Sequence, residues 1–525
     1  MVQRWSLPRW PEIIVWGLLT GLAFAWSASD YLPDFGGDAA VYWLTANHWS
    51  PYGTPSPMAA EIAATSKYPL LYPALLAMFG GGTSLRAAHY VTAGFLIAGL
   101  LCLRTYYRRL GFPPYAAAAL AWLVALLPGL RWELLDLHSE SLYLGLSAAT
   151  LALTVENNER LQSMRWRIAL GILIGAAMLT RTIGIVLLIA LVLHSLMRRN
   201  PRLLEAIIVA SLVWWLGSIN HNSTATYFAE FQREYAAGMN AFLSSRWDTL
   251  RAGWIETLAG REISSLVVWL LLALFAISLS VAIARAARGC FDGLYVLGYL
   301  AVVTLWPYPA ETARLLMVVA PVMLGQTCAG LRTLWAPHAG LHAAVVPGFI
   351  LLLSVLVIPD LIRVAVRFAT PVPRELQAFK RLYEWYEDDP RDAVYILGLY
   401  GAMHRSLIQL NRLVTPAQCV FGTKPAIVAL FSGRRAFPPP LPTTGDVTFR
   451  TEVRDRGCRH FFMMNTRSPT FPDQLYPYDR LKPELKLLHV AQNATFPKIT
   501  AAVIAEWIPA SSATESTGGK LPDKH

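Results

Sequence analysis

Apolar residues fill long blocks of this chain, and short polar turns break the blocks apart. Ile13 to Ala28 carry no charge, and then three aspartates (Asp30, Asp34, Asp38) fall within nine residues, the last two on either side of Gly36-Gly37. At about 20 apolar residues per crossing, the pattern predicts roughly eleven membrane spans. They run near 11–28, 86–106, 113–130, 141–156, 167–180, 183–197, 203–220, 263–284, 291–306, 312–330 and 340–358. The fifth and sixth are short for full crossings, which leaves a tilted hairpin as the alternative.

The polar breaks test this reading. Arg4/Arg9, Arg104/Arg108/Arg109, Arg165/Arg167, Arg198/Arg199/Arg202, Arg285/Arg288 and Arg332 all fall on one side of the predicted membrane. Short loops rich in Lys and Arg stay cytoplasmic, so that side, with the N-terminus, is expected inside. The outer side then receives the first loop (29–85), the 131–140 turn, Thr180-Arg181-Thr182, the 221–262 loop and "WPYPAETAR". The 221–262 loop reads mainly as an amphipathic interfacial helix.

Beyond about residue 365 the pattern changes. "PVPRELQAFKRLYEWYEDDPRD" reads as an amphipathic helix leaving the membrane. "AVYILGL", "AIVALF", "HFFMM" and "AAVIAEWI" read as short strands, and "VTFRTEVRDRG" as a helix among them. The expected architecture is an all-α polytopic membrane domain (1–365), a small extracytoplasmic α/β domain (366–510) and a disordered tail (511–525).

Composition agrees. Of 525 residues, 55% are hydrophobic and 15% charged, with 18 Trp and a mean hydropathy of +0.40, against about 25% charged in a soluble domain. The first span is long and Trp-rich with no small-residue cleavage site, so it reads as retained. The net charge of +11 sits largely in the basic clusters, which explains it without nucleic acid. Cys419 and Cys458 both fall in the outer domain, either as a disulfide or as two buried thiols. No ligand spacing supports a structural zinc site. No cofactor is indicated, and a divalent metal is left open.

The candidate chemistry gathers on the outer side, where ionisable groups near the membrane are costly and usually functional. Asp38 precedes the helix-like "AAVYWLTA", with Tyr42 one turn on, and serves either as a helix cap or as an outward-pointing acid. Asp34, before Gly-Gly, reads first as a turn residue and second as an acid. Lys67, followed by Tyr68, is either a snorkelling interfacial lysine or a cation beside a lipid phosphate. His138 and Glu140 lie where the "ESLYLGL" helix begins, which fits a helix start, with a weak case for a metal pair. Arg181, flanked by apolar residues, needs an anionic partner: Glu140, Asp38 or a phosphate. Glu311 and Arg314 are spaced for a mutual salt bridge. A carboxylate base with a basic clamp suits transfer of a group off a phosphate presented from the bilayer.

The segments "GGDAAVYWLTA", "KYPLLYPALLA", "HSESLYLGLSA", "LTRTIGIVLL", "ETARLLMVVAPVML" and "VALFSGRRAFPPPLP", in this order, resemble the GT-C glycosyltransferases. The likeness is to protein O-mannosyltransferases, aminoarabinose transferases and related polyprenyl-phosphate-sugar transferases. It implies a GT-C membrane domain and inverting transfer from a lipid-phosphate sugar to a lipid, glycan or protein acceptor. It also implies Asp38 as the first-loop base, with Lys67, Arg181 and Arg314 around the lipid phosphate. The bacterial inner membrane is the implied location. The chain has Asp38-Ala39 where the family often carries Asp-Glu. "VWWLGS" lacks the acid of a Trp-Trp-Asp motif, which argues against an oligosaccharyltransferase. A flippase would carry internal repeats and midplane charges, neither of which the sequence has. A glycan polymerase or ligase would place its chemistry in the 221–262 loop.

Overall fold

The structure is a computed structural model and describes residues 10–32, 37–132, 136–155, 159–219, 239–260, 264–306, 308, 311–369, 371, 390–466 and 470–508. The expected juxtamembrane helix at 371–392 lies almost wholly outside these residues, as does the tail. The chain forms two compact units, Met1–Asp30 with Lys67–Arg363, and Tyr31–Ser66 with Val364–His525. Most of the first outer loop is therefore part of the second unit.

The first unit is helical. Five helices among the described residues are long and apolar enough to span a bilayer: Leu85–Arg109, Pro201–Ser218, Ser265–Ala287, Thr312–Leu334 and Gly340–Val366. Glu12–Ser27, Pro114–Ala125, Thr182–Met197 and Phe291–Thr304 are apolar and shorter. The chain is a multi-pass membrane protein. Thr312–Leu334 is buried nearly all round from Leu315 to Cys328, as expected of a helix at the centre of a bundle. Its Pro321 withdraws one backbone donor from the helix, and the Tyr107 hydroxyl donates to Pro321 O at 2.8 Å, tying the central helix to Leu85–Arg109.

Small residues set the closest helix packing. A Cβ on Gly171 would lie 2.6 Å from Ala206 O, and one on Gly175 would lie 2.6 Å from Val213 Cβ. Met164–Thr180 therefore packs tightly along Leu204–Ser218 and only lightly against Ile185–Met197, so the fifth and sixth predicted spans are not a self-packed hairpin. Several of the basic-cluster arginines have acidic partners: Arg104 with Glu12, Arg167 with Glu205 at 2.9 Å, and Arg285 with Asp292 at 2.7 Å. The expected interfacial helix of the 221–262 loop is corrected over Met239–Ala259. Trp254 there is in the core, and its indole donates to Leu271 O at 2.9 Å.

The second unit holds a five-stranded sheet in the order β2-β1-β3-β5-β4. The strands are β1 (Cys419–Gly422), β2 (Arg435–Phe437), β3 (His460–Met464), β4 (Leu485–Gln492) and β5 (Thr500–Trp507). β1 pairs parallel with β2 and β3, while β5 is antiparallel to β3 and β4. "HFFMM" and "AAVIAEWI" are strands as expected, and "VTFRTEVRDRG" is the helix Asp446–Asp455 with Phe449 and Val453 buried one turn apart. Two expected strands are helices. "AVYILGL" opens the helix Pro390–Leu413, because burial at Leu399, Met403, Leu407 and Leu410 follows the helical period beyond the short run itself. "AIVALF" lies in the helix Pro425–Ser432, with Pro425 at its first turn and Gly433 (φ +63°) ending it. Cys419 and Cys458 form a disulfide. Asn493 of the "NAT" triplet is buried, and its amide donates to Tyr395 O at 2.7 Å.

Candidate functional site

In the first unit, three helix ends bring charges together. Glu140 is the first residue of Glu140–Thr154. Arg181 follows Met164–Thr180 in extended backbone (φ −149°, ψ 138°), and Arg314 stands in the first turn of Thr312–Leu334. Glu140 is almost fully buried, with a side chain only 2% exposed, and forms ion pairs with both arginines. Arg314 Nε lies 3.0 Å from Glu140 Oε1, and the Arg181 guanidinium also donates to Ser139 Oγ at 3.4 Å. A buried carboxylate is tolerable only with such partners.

The cluster extends outward from Arg314, whose Nη2 contacts Glu311 Oε2 at 3.1 Å. The Trp306 indole donates to the same Glu311 oxygen at 3.1 Å, and the Glu311 N–H donates to Tyr308 O at 3.1 Å. The ammonium of Lys67 lies 5.9 Å from the centre of the Tyr308 ring and 5.8 Å from that of Tyr68, within cation–π range of both. Below Glu140, Tyr143 and Tyr299 stack at 6.3 Å, with Tyr295 against Tyr299 at 5.7 Å. The Tyr299 hydroxyl donates to Leu315 O at 3.0 Å, which fixes this aromatic floor to the central helix.

His138 faces Asp136, with Nε2 3.4 Å from Oδ2. Among the described residues no group of three His, Cys, Asp or Glu side chains is placed to hold a metal ion.

In the second unit, Asp38 begins the helix Asp38–Trp49. The cap itself is Gly37, with φ +102°, a left-handed conformation that glycine adopts without steric cost. Asp38 is thus the first helical residue, where a carboxylate meets the positive end of the helix dipole. Tyr42 is buried one turn on, and Asp34 lies outside the described residues.

The first unit thus unites Lys67, Tyr68, Glu140, Arg181, Glu311 and Arg314, while Asp38 and Tyr42 share one helix of the second. Sequence reading missed Ser139, Tyr143, Tyr295, Tyr299, Trp306 and Tyr308. Tyr295 and Tyr299, four residues apart on one helix face, were the available signal.

No protein-family model and no curated protein sequence matches the chain. Solved structures do. ArnT from Cupriavidus metallidurans, bound to undecaprenyl phosphate, superposes with a TM-score of 0.52 at 14% identity, over 96% of this chain and 99% of that one. The chain shares its fold with ArnT. The apo ArnT structure gives the same TM-score of 0.52, identity of 14% and coverage of 96% and 99%. The Archaeoglobus fulgidus oligosaccharyltransferase, in complex with Zn and sulfate, gives 0.50 at 11% identity, over 86% of this chain and 67% of that one. A helical membrane domain followed by a smaller C-terminal domain, as expected from the GT-C resemblance, is therefore the architecture of this chain as of ArnT.

Proposed function

We propose that the protein is a membrane glycosyltransferase. It moves a sugar from a polyprenyl-phosphate donor to an acceptor on the outer face of a bacterial inner membrane, with inversion. One observation carries this reading: two guanidinium groups, Arg181 and Arg314, converge on one buried carboxylate at the ends of apolar helices, with Lys67 close by. A guanidinium presents five donors in a rigid fork, and that fork fits phosphate oxygens. A likeness to ArnT, crystallised with undecaprenyl phosphate, supports the same donor chemistry.

In the reaction, the Asp38 carboxylate takes the proton of an acceptor hydroxyl or amine. The acceptor attacks the anomeric carbon from the face opposite the phosphate. The carbon–oxygen bond to phosphate breaks, and polyprenyl phosphate departs with the bonding electrons. Lys67, Arg181 and Arg314 offset the charge that grows on it. Glu140 keeps the two arginines in place and is not itself the base, since its carboxylate is already committed to them. Tyr68, His138 and Glu311 shape the same region.

The test needs no acceptor. The purified protein is expected to bind undecaprenyl phosphate by native mass spectrometry and thermal shift, with weaker binding in Arg181→Ala. A well-folded protein that ignores this lipid would overturn the reading.

A further inference from the structure

In open α/β sheets, ligands bind beyond the carboxyl ends of the parallel strands. Here the carboxyl end of β1 runs through Thr423 and Lys424 directly into the helix Pro425–Ser432. The neighbour at that place is the chain's own first loop. The Lys424 side chain lies 3.9 Å from the position a Cβ on Gly37 would take, and Pro425–Ser432 packs against Asp38–Trp49. A second anchor holds the entry to the loop. His404, buried in the middle of Pro390–Leu413, donates a ring hydrogen bond to the Leu32 carbonyl. Its ring stands edge-on to Tyr31 at 5.3 Å and to Phe431 at 4.6 Å. One imidazole thus ties three segments together: the start of the first loop, the Pro425–Ser432 helix and its own helix.

We propose that the α/β domain serves the reaction by holding the first loop, with His404 and Lys424 as positioning residues for the helix that begins at Asp38. The helix that follows β1 packs against the helix that begins at the proposed base. This rests on the reading of Asp38 given above. The arrangement explains why residues 31–66 fold with residues 364–525 although more than 290 residues separate them in sequence. Precise placement of a base matters, because a shift of about 1 Å costs on the order of a hundredfold in rate.

Hydrogen exchange on the full-length protein tests the proposal. His404→Phe keeps the ring packing and removes the donor to Leu32, while His404→Gln restores an amide donor. Lys424→Met removes the ammonium at the other anchor without touching the buried core. Faster exchange across residues 38–49 is expected in His404→Phe and Lys424→Met, with partial recovery in His404→Gln. At about pH 7.5, above the range in which His404 titrates, exchange in β3 and β5 and affinity for undecaprenyl phosphate should stay at wild-type levels, while transfer at saturating donor falls. Unchanged exchange at 38–49 overturns the proposal, and so does loosening of β3 and β5 to the same extent, since that marks a general folding defect. If exchange rises as expected but Asp38→Asn still transfers sugar, the anchoring stands and the assignment of the base fails.

Discussion

Arg314 Nε stands 3.0 Å from Glu140 Oε1, and the same carboxylate is paired with Arg181. One negative charge therefore holds two positive ones at the end of the helical bundle. Removing that charge takes the shared carboxylate from both guanidinium groups and leaves Arg314 its contact with Glu311, at a cost of about 3 kcal/mol in this largely buried setting. Glu140→Gln is expected to lower the unfolding temperature. A phosphate monoester of a polyprenol should then restore more stability to the variant than it adds to the wild type, because it supplies the missing charge. Equal shifts in the two proteins would separate this pair of arginines from the donor phosphate.

Asp38 presents a different case, since it heads a short helix behind a glycine cap. Asp38→Asn keeps the shape and the helix start but removes the basic carboxylate. Transfer should fall by about two to four orders of magnitude, the usual contribution of a general base. Binding of undecaprenyl phosphate should persist. A variant with full transfer activity sends the search for the base to Asp34.

Glycines at a close helix contact give a test of the membrane fold itself. Gly171→Val and Gly175→Val would each drive side-chain carbon into Leu204–Ser218, where even a Cβ has no room. Overpacking of this kind costs about 1–3 kcal/mol. Both variants should unfold at lower detergent-denaturant concentrations, whereas Gly94→Ala, at a position with nothing within 4 Å, should match the wild type. Wild-type stability in both Val variants would place this contact elsewhere.

Much of this was legible in the sequence because isolated charges in apolar sequence are conspicuous. Arg181, Arg314 and Glu140 stand out for that reason alone. Glu140 was one of the partners the sequence offered Arg181, but the pairing of Arg314 with the same carboxylate was not legible, since it depends on how three helices distant in sequence bring their ends together. The aromatic floor of Tyr143, Tyr295 and Tyr299 was hidden because such residues read as ordinary core. "AIVALF" and "AVYILGL" were misread because a run of six or seven apolar residues has no period of its own. The flanking Pro425 and Gly433, and the later Met403, Leu407 and Leu410, carried the deciding information. Asp38 as cap and Asp38 as first helical residue differ by one position, too fine a distinction for propensity to draw.

The Cys419–Cys458 bond closes a loop across a sequence separation of 39 and ties β1 to the start of β3. A cross-link of this span contributes about 2–4 kcal/mol. Cys458→Ser should make the 390–508 region more sensitive to proteolysis while leaving the bundle's helices protected. Equal cleavage in variant and wild type would show that the sheet holds without the bond.

His404 gives the second unit a pH dependence whose sign follows from burial. Loss of water around the imidazole disfavours its charged form and holds its pKa at about 4, despite the opposing hydrogen bond to Leu32. In the unfolded chain the ring titrates near 6.5. Between these values the unfolded state binds the extra proton, so acidification favours unfolding. The stabilising contribution is therefore complete above about pH 6.5 and is lost progressively as pH falls towards about 4. The difference of two to three pH units corresponds to roughly 3 kcal/mol. Protection factors in β3 and β5, which divide out the intrinsic slowing of amide exchange in acid, should fall as pH is lowered across that window in the wild type. In His404→Phe, where nothing titrates at this position, the pH dependence should be shallower by about that amount. Parallel pH profiles for the two proteins would mean that some other group, not the imidazole, governs the acid sensitivity of this unit.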